Sequence, residues 1–166
     1  MKIVSIATSR KKGTPKTPVE HADLLPGHGI VGDAHAGDWH RQVSFLSAES
    51  IEAAKERGLS VTFGDFAENI ATRGINWTRA EIGDRFRLGE SVLVEITQIG
   101  KECHNKCAVY HRAGDCIMPR EGIFARVLTG GRIKNGDSIL FLARPTDEQA
   151  EKAQESLLPV SVPDKE

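Results

Sequence analysis

At 166 residues the chain has the usual size of one domain and is long enough to bury a single core. Lys and Arg total 22 against 23 Asp and Glu, so no basic excess is available to displace counterions from a phosphate backbone, and nucleic acid is not an expected partner. No stretch approaches the roughly 18 apolar residues of a membrane span. The short apolar run Ile3 to Ala7 precedes its basic cluster, the reverse of a secretory signal, and the three cysteines are an odd number. Together these features predict a cytoplasmic protein without a disulfide framework.

In chain order, residues 9 to 40 are rich in Gly, Pro, His and Lys, have little periodicity and are expected as loops crossing the surface. Ser47 is placed to cap a helix over AESIEAAKERG. Glu49 and Glu52 fall toward its positive end, Lys55 and Arg57 toward its negative end, and Gly58 stops it. Leu46, Ile51 and Ala54 give that helix a narrow core-facing stripe. Residues 84–88, the turn Gly89-Glu90 and residues 91–99 predict a hairpin, whose second strand alternates Val92, Val94 and Ile96 with mixed residues as a barrel wall would. Residues 122–128 carry apolar side chains at i, i+1, i+4 and i+5 before Gly130-Gly131, a pattern that predicts one to two helical turns. Asn135-Gly136 is a type I′ turn signal leading into a strand over 137–142. Thr146 to Gln149 has capping-box spacing, opening a polar helix to about Leu157, with a loose tail after Pro159. Glycines punctuating short apolar runs make the domain mostly β over residues 1–145, followed by a C-terminal helix and tail over 146–166.

All three cysteines lie in residues 101–130, KECHNKCAVYHRAGDCIMPREGIFARVLTG. Cys103 follows a strand that ends near Gly100, with Lys101, His104, Lys106 and His111 close in sequence. Cations near a thiol favour its thiolate, which attacks, carries sulfur or binds a soft metal. The spacing of Cys103 and Cys107 also admits a zinc pair, and a small zinc-binding module using Cys103, Cys107, Cys116 and His104 is one alternative, although no second close pair follows. Cys107 beside Ala108-Val109, and Cys116 beside Ile117-Met118, read equally well as small buried hydrophobes.

Two further constellations stand out. GIVGDAHAGDWHRQV sets His35 and His40 among Asp33 and Asp38, a set able to chelate a hard metal or to serve as hydrogen-bonded loop residues. FGDFAENIATRG places Glu68 beside Asn69 before an apolar segment, which also reads as a turn closed by side-chain bonds to the backbone.

Taken in order, GIVGDAHAGDWHRQVSFLSAESI, FGDFAENIATRGI and QIGKEC followed by EGIFARVLTGGRIKNGDSILFL resemble the MOSC domain, named for the C-terminal domain of molybdenum cofactor sulfurase, over about residues 1 to 143. The resemblance implies a small stand-alone prokaryotic member with a MOSC-type β-barrel and a few short peripheral helices. It implies binding of the molybdenum cofactor (molybdopterin), with molybdenum or tungsten, or sulfur carriage as a persulfide, in cofactor maturation or cofactor-dependent chemistry. Cys103 matches the family cysteine as catalytic thiol and metal ligand; Cys107 and Cys116 depart from the single-cysteine pattern of many members, as further thiols for the metal, and Cys107, four residues on, would also resolve a Cys103 persulfide as a disulfide. His35, Arg41, Glu68, Asn69, Lys101, Arg120 and Arg126 are the candidates for cofactor binding, the cations for its phosphate. Pyridoxal phosphate belongs to a separate domain of the full sulfurase and is not expected here. Partners would be cofactor-biosynthesis proteins or molybdoenzymes. A further alternative is a molybdenum-dependent reductase of N-hydroxylated small molecules fed by a separate electron donor.

Overall fold

The fold, a computed structural model that describes residues 1–146 and 149, is built on one large curled sheet and one small one. The strands are β1 (Lys2–Thr8), β2 (Thr17–Val19), β3 (His21–Leu25), β4 (Gly29–Ile30), β5 (Val43–Ser47), β6 (Ile70–Arg73), β7 (Arg85–Leu88), β8 (Val92–Ile99), β9 (Ile123–Thr129), β10 (Gly131–Lys134) and β11 (Ile139–Leu142). Helices α1 (Ala48–Glu56), α2 (Ala108–Ala113) and α3 (Met118–Glu121) are short. Eight strands run in the order β11-β7-β8-β9-β5-β6-β1-β2, and β10-β3-β4 form the second sheet. Neighbours are antiparallel except β5 and β6, which are parallel because α1 carries the chain back between them. An isolated bridge between Lys2 and Ser138 brings β1 to the residue before β11. The large sheet thus curls until β1, the strand beside its β2 edge, meets the chain entering β11 at its other edge, but no continuous ladder closes it, so the expected barrel is a loose one.

Alternation along β5 and β9 divides the interior in two. Val43 and Phe45, with Ile123, Ala125 and Val127, face a core that includes Ile3, Ile70, Val94 and Ile96. Leu46 and Phe124 face the other way, into a second cluster with Phe66, Val109, Cys116, Ile117 and Met118. That second cluster is covered by α1, α2, α3 and the segment 59–67, so the cysteine window is packed on the outer face of the sheet.

The hairpin β7–β8 pairs Arg85 with Glu95 and Leu88 with Val92 as its alternation predicts. Ser47 caps α1 by accepting from the Ser50 amide. Residues 122–128 are not helical: they form β9, paired with both β8 and β5. A strand buried on both faces is apolar without clean alternation, and short runs of that kind mimic a helical stripe. Residues 9–40 are not wholly loop either, since β2, β3 and β4 lie within them. Asn135-Gly136 does lead to a strand, but it joins β10 and β11 of different sheets, and only Gly136 has positive φ, so it is not a type I′ hairpin turn. The Thr146 amide donates to Gln149 Oε1 at 3.2 Å, one half of a capping box. The helix expected to run to Leu157, and the tail, lie outside the described residues.

Candidate functional site

Where β8 ends, Gly100 turns the chain with φ of +66°, its amide donating to the Gly122 carbonyl at 2.7 Å. The Lys101 amide donates to the Pro119 carbonyl at 3.1 Å, pinning the start of the loop to α3. A Cβ at residue 100 would stand 2.7 Å from that same carbonyl, so this junction requires glycine. The loop then runs past Cys103 to Cys107, the residue before α2.

Between this loop, α2, α3, the segment 35–44 and residues 66–67 lies a cleft of about 290 Å³. Its floor is apolar, from Phe66, Val109, Met118 and Phe124. All three cysteines line it, with Cys103 exposed, Cys107 half-buried and Cys116 buried. Burial pushes the Cys116 thiol up from its ordinary value, which keeps it protonated and unreactive. Lys101, Lys106, Arg41 and Arg120 bring four cations to the cleft. Arg120 is tied to Asp115 at 3.0 Å, and Lys106 stands 4.3 Å over the Tyr110 ring. Arg41 lies 4.7 Å over the Trp39 ring and 5.6 Å from the Phe124 ring, and its Nε is buried with no hydrogen-bond partner.

His35 lines the same cleft. Burial first, then the Lys16 ammonium, hold its imidazole down to about 4, so the ring is neutral at neutral pH. Lys16 Nζ stands 2.6 Å from Asp33 Oδ1 and 3.1 Å from His35 Nδ1. Burial draws Lys16 below the usual lysine range, against the pull of Asp33. Asp33 also lies below its usual range: burial alone would raise it, but Lys16 and the Ser9 and His35 amides together outweigh that. With both side chains buried and 2.6 Å between Nζ and Oδ1, Lys16 and Asp33 form an ion pair at neutral pH.

Glu68 and Asn69 do not line the cleft but sit behind it. Asn69 Oδ1 accepts from the Ser44 amide and hydroxyl at 3.1 Å, and its Nδ2 donates to the Ala7 carbonyl at 3.2 Å, clipping β5 to β1 beneath the cleft residue Ser44. Glu68 Oε1 accepts from the Gly64 amide while Oε2 is buried without a partner, and burial pushes the carboxyl up to about 7. Between them the chain bends through Ala67, whose φ of +65° is unusual for a residue with a Cβ and which lines the cleft. Arg126 is elsewhere: on β9 it points to solvent and its guanidinium donates to Glu95 of β8 at 2.7 Å. The expected helix would have aimed it differently.

Among the described residues no group of three or more His, Cys, Asp and Glu side chains could hold a metal ion. The zinc module of Cys103, Cys107, Cys116 and His104 therefore has no assembled ligand set, and neither does the hard-metal set of Asp33, His35, Asp38 and His40. Asp33 is occupied by Lys16, and His40 Nε2 meets Gln98 Oε1 at 2.8 Å. Sequence reasoning missed Lys16, Ser44 and Trp39. Lys16 belongs to a run of basic residues that reads as solvated surface, and its burial follows only from tertiary structure.

Fold and site define a mostly β protein with a thiol-lined cleft fringed by cations on the outer face of a curled sheet. The chain belongs to the MOSC-domain family, whose sequence pattern, described as MOSC domain, matches residues 32–140. A relative described as a reductase, from Gibberella moniliformis (strain M3125 / FGSC 7600), is 31% identical over 130 residues, covering 70% of this chain and 23% of that protein. This chain thus spans about a quarter of that relative. Among solved structures, YiiM from Geobacillus stearothermophilus is similar with a TM-score of 0.66 and 25% identity over 86% of this chain and 75% of that one. The YUAD protein from Bacillus subtilis shares the fold at a TM-score of 0.69 and 19% identity, over 83% of this chain and 93% of that one. No described helix is long and apolar enough to cross a membrane.

Proposed function

We propose that this domain binds the molybdenum cofactor in the cleft, with Cys103 giving a thiolate to the metal and the surrounding cations holding the cofactor's phosphate. The observation that carries the reading is the meeting of an exposed thiol and four cations on one cleft, one of them, Arg41, with a buried donor that has no partner in the chain. The residues fit the group on chemical grounds. Thiolate is the soft side chain suited to molybdenum or tungsten, a phosphate oxygen would satisfy Arg41 Nε, and the apolar floor of Phe66, Met118 and Phe124 suits a flat heterocycle. Family membership supports a role related to this cofactor.

The bound metal would supply two-electron redox chemistry. This chain's part is to hold and orient: Gly100 and Lys101 fix the loop that carries Cys103, and Asn69 fixes Ser44 on the opposite wall. The relative described as a reductase favours cofactor-dependent reduction, with electrons delivered by a partner protein, for which N-hydroxylated small molecules are the proposed substrates. A second reading, sulfur carriage on Cys103 in cofactor maturation, is favoured by the half-buried Cys107 lining the same cleft four residues on. That thiol would displace a Cys103 persulfide as the disulfide, releasing the sulfur as sulfide.

Native mass measurement on protein purified anaerobically separates these. A bound pterin with metal is expected. A mass increase of about one sulfur atom on Cys103 instead favours carriage, and neither adduct, after production in cells that make the cofactor, would refute both readings.

A further inference from the structure

Lys16 is a buried charged group that does not itself line the cleft. A lysine ammonium has three donors and no acceptor. Three groups stand within its reach: Asp33 Oδ1 at 2.6 Å, His35 Nδ1 at 3.1 Å and Ser9 Oγ at 3.2 Å. A group with only donors can meet a ring nitrogen only at its lone pair, so His35 Nδ1 is the acceptor, and the neutral ring carries its proton on Nε2. The backbone that carries the ring is also fixed in place. The His35 amide donates to Asp33 Oδ2 at 3.0 Å, and Trp39 Nε1 donates to the His35 carbonyl at 2.7 Å. The Trp39 indole lies within 14° of parallel to the imidazole, with centroids 6.4 Å apart.

With Nδ1 turned inward to Lys16, the opposite edge of the ring, bearing Nε2–H, is the one left for the cleft that His35 lines. The same Trp39 carries the Arg41 guanidinium, which like an ammonium has donors only. We propose that Lys16 is a positioning residue that sets His35 as an Nε2–H donor, so that His35 and Arg41 together address an oxyanion of the bound ligand. In this tautomer His35 offers the cleft no lone pair with which to take a proton. Only the identity of the ligand, the phosphate of the cofactor, rests on the function proposed above.

Nitrogen-15 NMR of the histidine rings at neutral pH reads the tautomer. The His35 ring is expected to be protonated on Nε2 alone, and its Nε2–H signal to shift on titration with inorganic phosphate. An Nδ1–H ring, a doubly protonated ring, or a ring indifferent to phosphate overturns the proposal. Lys16→Met combined with Asp33→Asn removes both charges of the pair and is expected to release the ring into a mixture of tautomers; an unchanged ring overturns the role of Lys16. Where that variant does not fold, His35→Gln and His35→Phe decide. The glutamine amide keeps phosphate affinity within about threefold, while phenylalanine loses roughly tenfold, and equal losses overturn the proposal. The two levels fail separately: an Nδ1–H ring in a protein that retains molybdopterin through Cys103 sinks this inference alone. An Nε2–H ring that answers phosphate in a protein retaining no pterin sinks only the cofactor reading.

Discussion

Lys16 Nζ and Asp33 Oδ1 stand 2.6 Å apart with both side chains wholly removed from solvent. The pair ties together the loops around the cleft, because Asp33 also receives the Ser9 amide at 3.0 Å and the Lys16 amide donates to the Gly64 carbonyl at 2.7 Å. Removing one partner strands the other as an uncompensated buried charge. Lys16→Met is therefore expected to cost about 3–5 kcal/mol. The double variant Lys16→Met/Asp33→Asn should cost markedly less than the sum of its single changes. Denaturation midpoints of the four proteins in the cycle give the coupling, and simple additivity would deny the pair its role.

Glu68 and His35 give the protein opposing pH responses. Burial pushes the Glu68 carboxyl from 4.5 up to about 7. Between those values the folded protein keeps a proton that the unfolded chain has released, so stability falls as pH rises through this window. The His35 ring is lowered from 6.5 to about 4, so the unfolded chain binds the extra proton and stability falls as pH drops below about 6.5. Glu68→Gln removes the first response only. Relative to wild type the variant should gain roughly 2 kcal/mol between pH 5 and pH 8. A stability difference that is the same at both pH values would show that Glu68 is not held protonated.

How far the sequence disclosed this arrangement varies with the reach of the interactions involved. The hairpin β7–β8 and helix α1 were legible because alternation, the Gly89-Glu90 turn and the Ser47 cap act over a few residues. The position of Cys103 past the end of β8 followed from the same local signals. Strand β9 was misread because Ile123, Ala125 and Val127 face one core while Phe124 faces another, and two-sided burial erases the period that marks a strand. Lys16 was illegible for a different reason. Its partners Asp33 and His35 lie 17 and 19 residues away, and no local pattern tells a buried lysine from its exposed neighbours Lys11 and Lys12.

Thiol reactivity should rank with exposure. Cys103 is exposed, Cys107 half-buried, and Cys116 buried with its thiol pushed up by that burial. Limiting alkylation at neutral pH followed by peptide mapping is expected to label Cys103 first and Cys116 last. Early labelling of Cys116 would mean that the second core cluster opens far more readily than its packing implies.

Arg126 offers a contrast to the cleft cations. Its partner Glu95 is shared with Arg85 across the exposed face of β7, β8 and β9, at 2.7 and 2.9 Å. Arg126 is exposed while Arg85 is half-buried, and a pair whose cation stands in solvent contributes little. Arg126→Ala is expected to change stability by less than about 1 kcal/mol and to leave cofactor retention as in wild type, whereas Arg41→Ala should reduce retention. Equal losses from the two variants would place the phosphate site on the wrong part of the sheet.

Binding of the cofactor in this cleft turns on whether the Cys103 sulfur reaches the metal. X-ray absorption at the metal edge of cofactor-loaded protein, compared with Cys103→Ala loaded in the same way, counts the sulfur ligands directly. One sulfur neighbour fewer is expected in the variant, with Cys107→Ala and Cys116→Ala matching wild type. An unchanged sulfur shell in Cys103→Ala, at equal metal content, would contradict it.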